Sequence, residues 1–395
     1  MRVTQSMLTN NSLNHLSNSN QKMSQIQDQL STGKKITRAS QDPVVAMNGM
    51  RYRTEVAEAG QFKRNVSEVY NWMDNSDDAL DEATNAMHRV RELGVQAAND
   101  SYEEGQRANI AKEVRQLREH LQSVANTQAN GKYIFNGADT TTAPVDESLL
   151  DVGLDADGFQ NQLEEMADEE RDAGDFRYNI TYDGGKYEMV EQNGDNEFTF
   201  ARTDLPDGKQ KELIFNKEEG TVTYEHTYLD EEGEEVTDRE ELPARQVVVS
   251  HEDAVSNNDT NVEIELLKGV NMPVNVDATN VFSSDFFGDI KRLENILEDE
   301  NAETSEISAV LDNLDGQIDK IVDERAELGA RYNRVEMMDE RVQDQEIIAK
   351  RIMSDNEDAD IAEVITNLQE QENVHRAALS SSSRIIQPTL MDFLN

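Results

Sequence analysis

Apolar residues recur at alternating intervals of three and four positions between residues 66 and 97. This spacing places one continuous apolar stripe along a helix and is typical of the seam of a coiled coil. A stripe of this length must be buried against a partner helix, so it constrains the fold more than any other feature. The seam residues that we expect in the bundle core are Val66, Val69, Met73, Leu80, Met87 and Val90.

The same spacing returns in residues 110–124 and again in residues 311–335. Three amphipathic segments cannot each bury a stripe alone, and packing them together solves the problem for all three. We therefore predict a long antiparallel helical bundle built from both ends of the chain. Its remaining core residues are expected to be Ile110, Val114, Leu117, Leu121, Leu311, Leu314, Ile318, Ile321 and Leu328.

The two extreme ends carry weaker stripes, in which polar residues occupy some of the seam positions. Such seams are too poor to stabilise isolated helices, but they can fix register and partner choice when two helices pair. We expect the ends to pair with each other during assembly. The assembly residues predicted on this basis are Leu13, Leu16, Met23, Leu30, Ile361, Val364, Leu368, Leu379 and Ile385.

The middle of the chain has a different composition. Residues 141–280 contain four of the six prolines, ten of the 20 glycines and a net charge of -27 out of -44. Residues 177–190 alternate about Asp183-Gly184-Gly185, which indicates a β-hairpin. We predict a mainly α protein with an inserted, solvent-facing, acidic β-rich domain. The predicted divisions are an N-terminal assembly helix at 1–40, a bundle arm at 41–140, the insert at 141–280, a second bundle arm at 281–355 and a C-terminal assembly helix at 356–395.

The net charge of -44 disfavours nucleic-acid and anionic-membrane partners, which need clustered Lys and Arg. The absence of cysteine excludes disulfides, thiolate metal sites and a cysteine nucleophile. No stretch approaches the ~20 apolar residues of a membrane span. The first residues have no apolar core of a signal peptide, so export by that route is not expected.

Catalytic motifs are scarce in this sequence. No histidine lies in an H-E-x-x-H motif, and no G-x-S-x-G, Walker or dinucleotide-binding motif occurs. Residues 155–158 form a fragment of a calcium-loop pattern without its further acidic positions, so a solvated turn is the simpler interpretation. We therefore expect no catalytic residue, no cofactor-binding residue, no metal ligand and no cofactor, and we expect that the protein is not an enzyme.

Several motifs at the two ends resemble the terminal regions of the bacterial flagellin superfamily. Residues 29–36 resemble the turn after the first helix, and residues 87–99 resemble the R-x-R-E-L-x-x-Q-A-x-N stretch of the superfamily. The form of residues 37–43, Thr-Arg-Ala-Ser-Gln-Asp-Pro, is similar to that of its hook–filament junction members. Further motifs that agree with this choice lie at 131–137, 352–361 and 385–394.

The resemblance implies a hook-associated structural adaptor that joins the flagellar hook to the filament. Such proteins are exported unfolded through the flagellar type III channel and act outside the cell. The implied partners are the other hook-associated protein, flagellin, further copies of the same chain in a ring, and an export chaperone at the C-terminal region. Two alternatives stay open: a minor flagellin that forms filament itself, and a secreted, acidic, calcium-dependent adhesin or hydrolase.

Overall fold

The computed structural model describes residues 5–99, 104–168, 173–194, 196–202, 205, 210–229 and 235–386. Most of the described chain is helical, and a β-sheet region lies in the middle of the sequence, as predicted. The helices are α1 (Gln5–Thr32), α2 (Pro43–Ala97), α3 (Glu104–Ala125), α4 (Asp157–Asp168), α5 (Ala278–Val281), α6 (Ser284–Glu298), α7 (Thr304–Glu357) and α8 (Ile361–Ile386).

The strands form one large antiparallel sheet and two small hairpins. They are β1 (Gln128–Ala129), β2 (Lys132–Tyr133), β3 (Tyr178–Tyr182), β4 (Gly185–Asn193), β5 (Glu197–Arg202), β6 (Gln210–Asn216), β7 (Thr221–Leu229), β8 (Glu235–Leu242), β9 (Val248–His251), β10 (Glu263–Leu267) and β11 (Val270–Pro273). The large sheet has the order β8-β7-β6-β5-β4-β3-β9. The predicted hairpin is β3–β4, where Tyr182 pairs with Gly185 across Asp183 and Gly184, both of positive φ.

The chain divides into two compact units. Residues 1–64 and 338–395 form one, here the terminal unit, and residues 65–337 form the other, the central unit. Both α2 and α7 contribute residues to each unit. The division falls at other positions than the five predicted segments, whose limits stay predictions.

The long seam of α2 is buried inside the central unit. Each predicted seam residue of α2 is at most 2% exposed: Val66, Val69, Met73, Leu80, Met87 and Val90. Of the other predicted core residues, Leu117 and Leu311 are half-buried. Those that are buried are Ile110, Val114, Leu121, Leu314, Ile318, Ile321 and Leu328.

Helix α6 lies within the predicted second bundle arm, but none of its residues was among the predicted core residues. Its buried face carries Phe286, Phe287, Ile290 and Leu293, and the Ser283 hydroxyl caps its first turn by accepting from the Phe286 N–H. Strands β3, β4 and β9 pack on this helix. At Gly288 an added Cβ would lie 2.5 Å from the Thr181 side chain of β3, so glycine permits the close approach.

Part of the surface of the β-region is covered by helices. One part of the sheet is fixed to α6, and α4 packs against the core of the sheet. The side chains of α4 at that core are Phe159, Leu163 and Met166, together with Phe198, Phe200, Leu213 and Phe215 of the strands. Residues 155–158, considered above as a turn, lead into the first residues of α4.

Candidate assembly surface of the terminal unit

Helices α1 and α8 pack along each other within the terminal unit. Their direction follows from two contacts. Lys34 forms an antiparallel β-bridge with Asp358 at one end of the pair. Further along, the Ser19 hydroxyl lies 3.4 Å from Nδ1 of His375. Residue numbers fall on one helix as they rise on the other, so the two ends of the chain are antiparallel.

The face of α8 toward the pair contains the positions expected from its stripe. Val364 is buried, and Leu368 is half-buried. The half-buried series continues at the same three-and-four spacing through Gln371, His375, Ala378 and Ser382. For Ile385 nothing is described beyond its place at the end of α8, and most of the 385–394 motif lies outside the described residues.

The face of α1 differs from the predicted one. Leu16 and Met23, two of the predicted positions, are half-buried and lie in the seam. The other residues of α1 on this face are Ser12, Ser19 and Ile26, whereas Leu13 and Leu30 lie off it. Leu13 and Leu30 are 53% and 37% exposed. A hydrogen bond between the helices explains why this face of α1 is turned inward. Gln371 donates from Nε2 to the Ser19 hydroxyl at 2.8 Å, which places Ser19 between the two helices. Sequence alone favoured the leucines because burial of apolar surface was the only criterion used.

Two of the predicted assembly residues on α8 also lie outside the pair. Ile361 is 43% and Leu379 46% exposed. Two further apolar residues of α8, Ile365 and Val374, are exposed as well and were not in the prediction. In the sequence, both are apolar residues that lie beside the predicted stripe rather than on it. The pair thus mixes polar and apolar side chains in its seam and exposes further apolar side chains outside, so it is not a self-sufficient helical hairpin.

A staple of backbone and side-chain bonds holds the segment after α1 to the end of α7. The Lys35 N–H donates to the carbonyl of Glu357 at 2.7 Å, and the Ala359 N–H donates to that of Gly33 at 2.8 Å. Gly33 has a positive φ of 67°, which a residue with a side chain rarely adopts. This staple joins the sequence motif at 29–36 to the motif at 352–361. The contact between these two motifs was not predicted from the sequence.

Charged groups complete the staple. Arg53 contacts Glu357 at 2.7 Å, and Lys34 contacts Asp358 at 2.7 Å. The hydrogen bond from Arg53 lowers the pKa of Glu357, and the hydrogen bond from Lys34 lowers the pKa of Asp358. Gly49 makes room for the buried Glu357 side chain, because an added Cβ would lie 2.7 Å from its Oε1.

A cleft of about 200 Å³ opens beside the staple. The motif of residues 37–43 forms one wall, with Thr37 and Arg38, and the first turns of α2 form the other, with Met50 and Arg53. The Gln41 side chain fixes the motif by accepting from the Thr37 N–H at 2.8 Å. Asp42 caps α2 by accepting from the Val44 N–H at 2.9 Å.

The described part of the terminal unit offers contact surfaces formed by helices. Within all the described residues, no cluster of three or more His, Cys, Asp or Glu side chains could hold a metal ion. Over the same residues, no helix combines the length and the apolar character that crossing a membrane requires. The geometry can bind another helix, align it by polar pairing and bury apolar side chains against it.

The fold and its paired ends define the class of this protein as a helical structural protein. Residues 3–140 match the bacterial flagellin N-terminal helical region, and residues 311–394 match the bacterial flagellin C-terminal helical region. Together the two matches cover more than half of the 395 residues. The chain belongs to the bacterial flagellin family. The predicted resemblance is thereby confirmed, and it gives the chain a structural role in the flagellum.

Individual relatives include both hook-associated proteins and flagellins. Flagellar hook-associated protein 3 of Salmonella typhimurium is 28% identical over 149 residues, which make up 38% of this chain and 47% of that protein. Polar flagellin F of Vibrio parahaemolyticus is 25% identical over 328 residues, 81% of this chain and 79% of that protein. The match to hook-associated protein 3 thus spans about half the length of that relative.

One solved structure shows the same fold. It was assigned to a flagellar hook-associated protein of Vibrio parahaemolyticus and covers 80% of this chain and 100% of its own, with a TM-score of 0.51 and 15% identity. The likeness concerns the fold alone.

Proposed function

We propose that this protein is an adaptor of the bacterial flagellum that joins the hook, through a hook-associated protein, to the flagellin filament. It acts by helix packing and carries out no reaction. The supporting observation is the α1–α8 pair, whose seam mixes polar with apolar side chains and whose outward surface exposes several large apolar side chains. A pair of this kind gains most from neighbours that cover its exposed side chains.

The proposed partners are the neighbouring hook-associated protein, flagellin and further copies of this chain. Leu13, Leu30, Ile361 and Leu379 would contact neighbours, whereas Leu16, Met23, Val364 and Leu368 would hold the pair itself. Apolar contact of this kind contributes about 25 cal/mol per Å² of buried area. We also propose export through the flagellar type III channel and a chaperone contact in residues 356–395, following the family resemblance.

The central test replaces a seam leucine by a charge. Leu16→Asp or Leu368→Asp would place an unpaired carboxylate in the α1–α8 seam, which disrupts the pair. In a strain with these variants we expect hooks without filaments, while Trp72 fluorescence of the purified protein still reports a folded central unit. Gln25→Asp and Asn367→Asp are the matched controls, because both residues are exposed on the same helices. Full-length filaments on cells with either seam variant would refute the proposal.

A minor flagellin is the second candidate, since the match to polar flagellin F extends over 81% of the chain. The two functions differ in what the purified chain does alone. A flagellin polymerises into long filaments, whereas an adaptor stops at a ring. Electron microscopy of the purified protein, with and without flagellin, separates them: filaments longer than one ring in the absence of flagellin would favour the second candidate.

A further inference from the structure

Buried polar atoms without a partner are concentrated where strand β3 meets helices α6 and α7. Fourteen buried side-chain nitrogen and oxygen atoms of the described residues have no hydrogen-bond partner, and seven of them lie on β3, α6 and the first part of α7. Buried polar groups in folded proteins are normally bonded to other protein groups or to ordered water. A cluster of this kind therefore marks a site. Its residues, here the polar joint, are Asn179, Thr181, Asp289, Arg292, Asn313 and Gln317.

Short contacts join the three elements at the polar joint. Gln317 of α7 donates from Nε2 to Oδ2 of Asp289 of α6 at 2.9 Å. A Cβ added at Gly288, the residue before Asp289, would lie 3.1 Å from the Thr181 hydroxyl of β3. Asn179 is two residues before Thr181, so both side chains lie on the face of β3 that meets α6. The polar groups of β3, α6 and α7 are therefore neighbours in space.

The polar joint extends to the end of β3. The Arg292 guanidinium lies 4.6 Å from the centre of the Tyr182 ring. In the turn that follows, a Cβ added at Gly184 would lie 3.2 Å from Oδ1 of Asn313. One turn of α6 and one turn of α7 thus meet the same short stretch of the strand, and the unpartnered atoms of all three elements belong to one site.

Burial keeps bulk solvent from bonding these atoms. Thr181, Asp289, Arg292 and Gln317 are at most 3% exposed. The bond to Asp289 also fixes the Gln317 amide, because turning it over would place its oxygen against a carboxylate oxygen. Oε1 of Gln317 then needs a donor, as does Oδ1 of Asp289. Leaving such groups unpaired costs free energy, so we expect a further molecule to bond them.

The mixture of unpartnered groups decides which molecule fits. The acceptors include Oδ1 of Asp289 and Oε1 of Gln317, whereas the donors are Nε and Nη1 of Arg292 and the amide nitrogen of Asn313. A cation would meet the guanidinium, and an anion would meet the carboxylate. Water is small, carries no net charge and both donates and accepts, so it can bridge the two kinds of group.

We propose that the polar joint is a binding site for ordered water, which bridges the unpartnered groups of β3, α6 and α7. A buried water molecule typically makes about three hydrogen bonds, and the joint supplies that many partners. The two faces of β3 are then held in different ways. Ile180 and Tyr182 pack in the apolar core of the sheet, whereas Thr181 meets the helices through water. This inference does not depend on the adaptor function.

A crystal structure of the full chain that resolves ordered water tests the proposal directly. We expect at least one water molecule within about 3.2 Å of Oδ1 of Asp289, bonded also to Gln317 or Thr181. Crystals grown in sodium bromide would reveal an anion by its anomalous scattering. A bromide ion beside Arg292, a metal ion beside Asp289, or side chains that bond one another with no water between them would overturn the proposal.

Magnetic relaxation dispersion of oxygen-17 counts the long-lived bound water molecules of the purified chain in solution. Thr181→Val, Asp289→Leu, Arg292→Met and Gln317→Met, combined in one variant, make the joint apolar with side chains of comparable size. We expect this variant to lose the signal of at least one bound water molecule and to keep or raise the urea midpoint, because apolar replacement of both partners removes the need for a bridge. An unchanged water count in a folded variant would overturn the proposal.

Ser76→Ala is the matched control. Ser76 is also buried, but its hydroxyl donates to the Trp72 carbonyl at 3.0 Å and needs no water. Its removal should leave the water count unchanged, and an equal loss in this control would show that the signal does not come from the polar joint. Should the fourfold variant not fold, the crystal structure of the parent chain decides alone.

Discussion

The two units of this chain bury their helices in opposite ways. The central unit has a mainly apolar core, in which the α2 seam and the phenylalanines of α6 are buried together with a few polar groups such as Asp289. The terminal unit pairs its helices through a mixed seam that includes Ser19, Gln371 and His375, and it leaves several leucine and isoleucine side chains outside. An apolar core stabilises a unit from within, whereas a mixed seam with exposed apolar side chains gains more from neighbours that cover it. The difference separates the part that supplies rigidity from the part that supplies association.

The largest effect should come from removing an aromatic ring in the central unit. Phe286 is fully buried at the start of α6 and packs edge-on against Phe282 and Phe287. Phe286→Ala should lower the free energy of unfolding by about 3–5 kcal/mol, because a cavity replaces the ring. Urea unfolding followed by Trp72 fluorescence measures this loss.

Val374→Ala serves as the matched control in the terminal unit, since Val374 is half exposed on α8. It should change stability by less than about 0.5 kcal/mol. Equal losses for the two variants would contradict the contrast between a mainly apolar core and an incomplete pair.

Much of this contrast was readable from the sequence, and the seams show why. The residues from Val66 to Val90 could be found because a long unbroken stripe has only one way to be buried. Helix α1 has two comparable stripes, and the choice between Leu13 and Ser12 depends on hydrogen bonds to α8 that spacing does not encode. The core residues of α6 were not predicted, although the helix lies within the predicted arm 281–355, because its short stripe directly follows the insert.

A second prediction concerns a buried carboxyl group in the central unit. Asp289 is fully buried and accepts from Nε2 of Gln317 of α7 at 2.9 Å, with Arg292 and Asp285 on its own helix and Lys320 on α7 as the nearest charged groups. Burial raises the pKa of Asp289 to about 6. The folded chain then holds this proton more tightly than the unfolded chain, so the stability contributed by this group falls as pH rises from about 4 to about 6.

Asp289→Asn removes the ionisation while keeping an acceptor for Gln317. The variant should be more stable than the parent by about 1–3 kcal/mol at pH 8, and the difference should shrink toward pH 4. Urea titrations across this range test it. If the stability difference between the variant and the parent is the same at every pH, ionisation of Asp289 does not destabilise the packing of α6 against α7.

A third prediction makes the terminal unit resemble the central one. Ser19→Ala on α1 with Gln371→Leu and His375→Leu on α8 replaces the polar contacts of the seam by apolar ones, and it leaves no buried hydroxyl without a partner. Amide exchange in residues 10–30 should slow about tenfold, equivalent to about 1.4 kcal/mol. The exposed pair Asn367→Leu with Val374→Leu is the control and should leave exchange unchanged; slower exchange in the control would mean that helix propensity rather than the seam is responsible.

The smallest effect is expected at the staple. Arg53 lowers the pKa of Glu357 below its ordinary 4.5, so the ion pair contributes stability above that pH and loses it as pH falls through the lowered value. Glu357→Gln should weaken the terminal unit by about 0.5–1 kcal/mol at pH 7 and have no effect well below pH 4. Amide exchange in residues 33–42 reports the change. The pH dependence of stability has the opposite sign to that at Asp289. Lowering the pH should therefore destabilise the terminal unit and stabilise the central unit.

The bridge between Lys34 and Asp358 has a consequence for the order of events in the life of the chain. Its two sides are separated by 324 residues, so α1 leaves the ribosome long before the segment that will hold it. At about 5–20 residues per second, the delay is roughly 15–65 s. Throughout that time α1 has no partner from its own chain. A helix with serine and glutamine along its length stays soluble during such a wait, and the same residues that make the finished pair weak protect the nascent chain from premature aggregation.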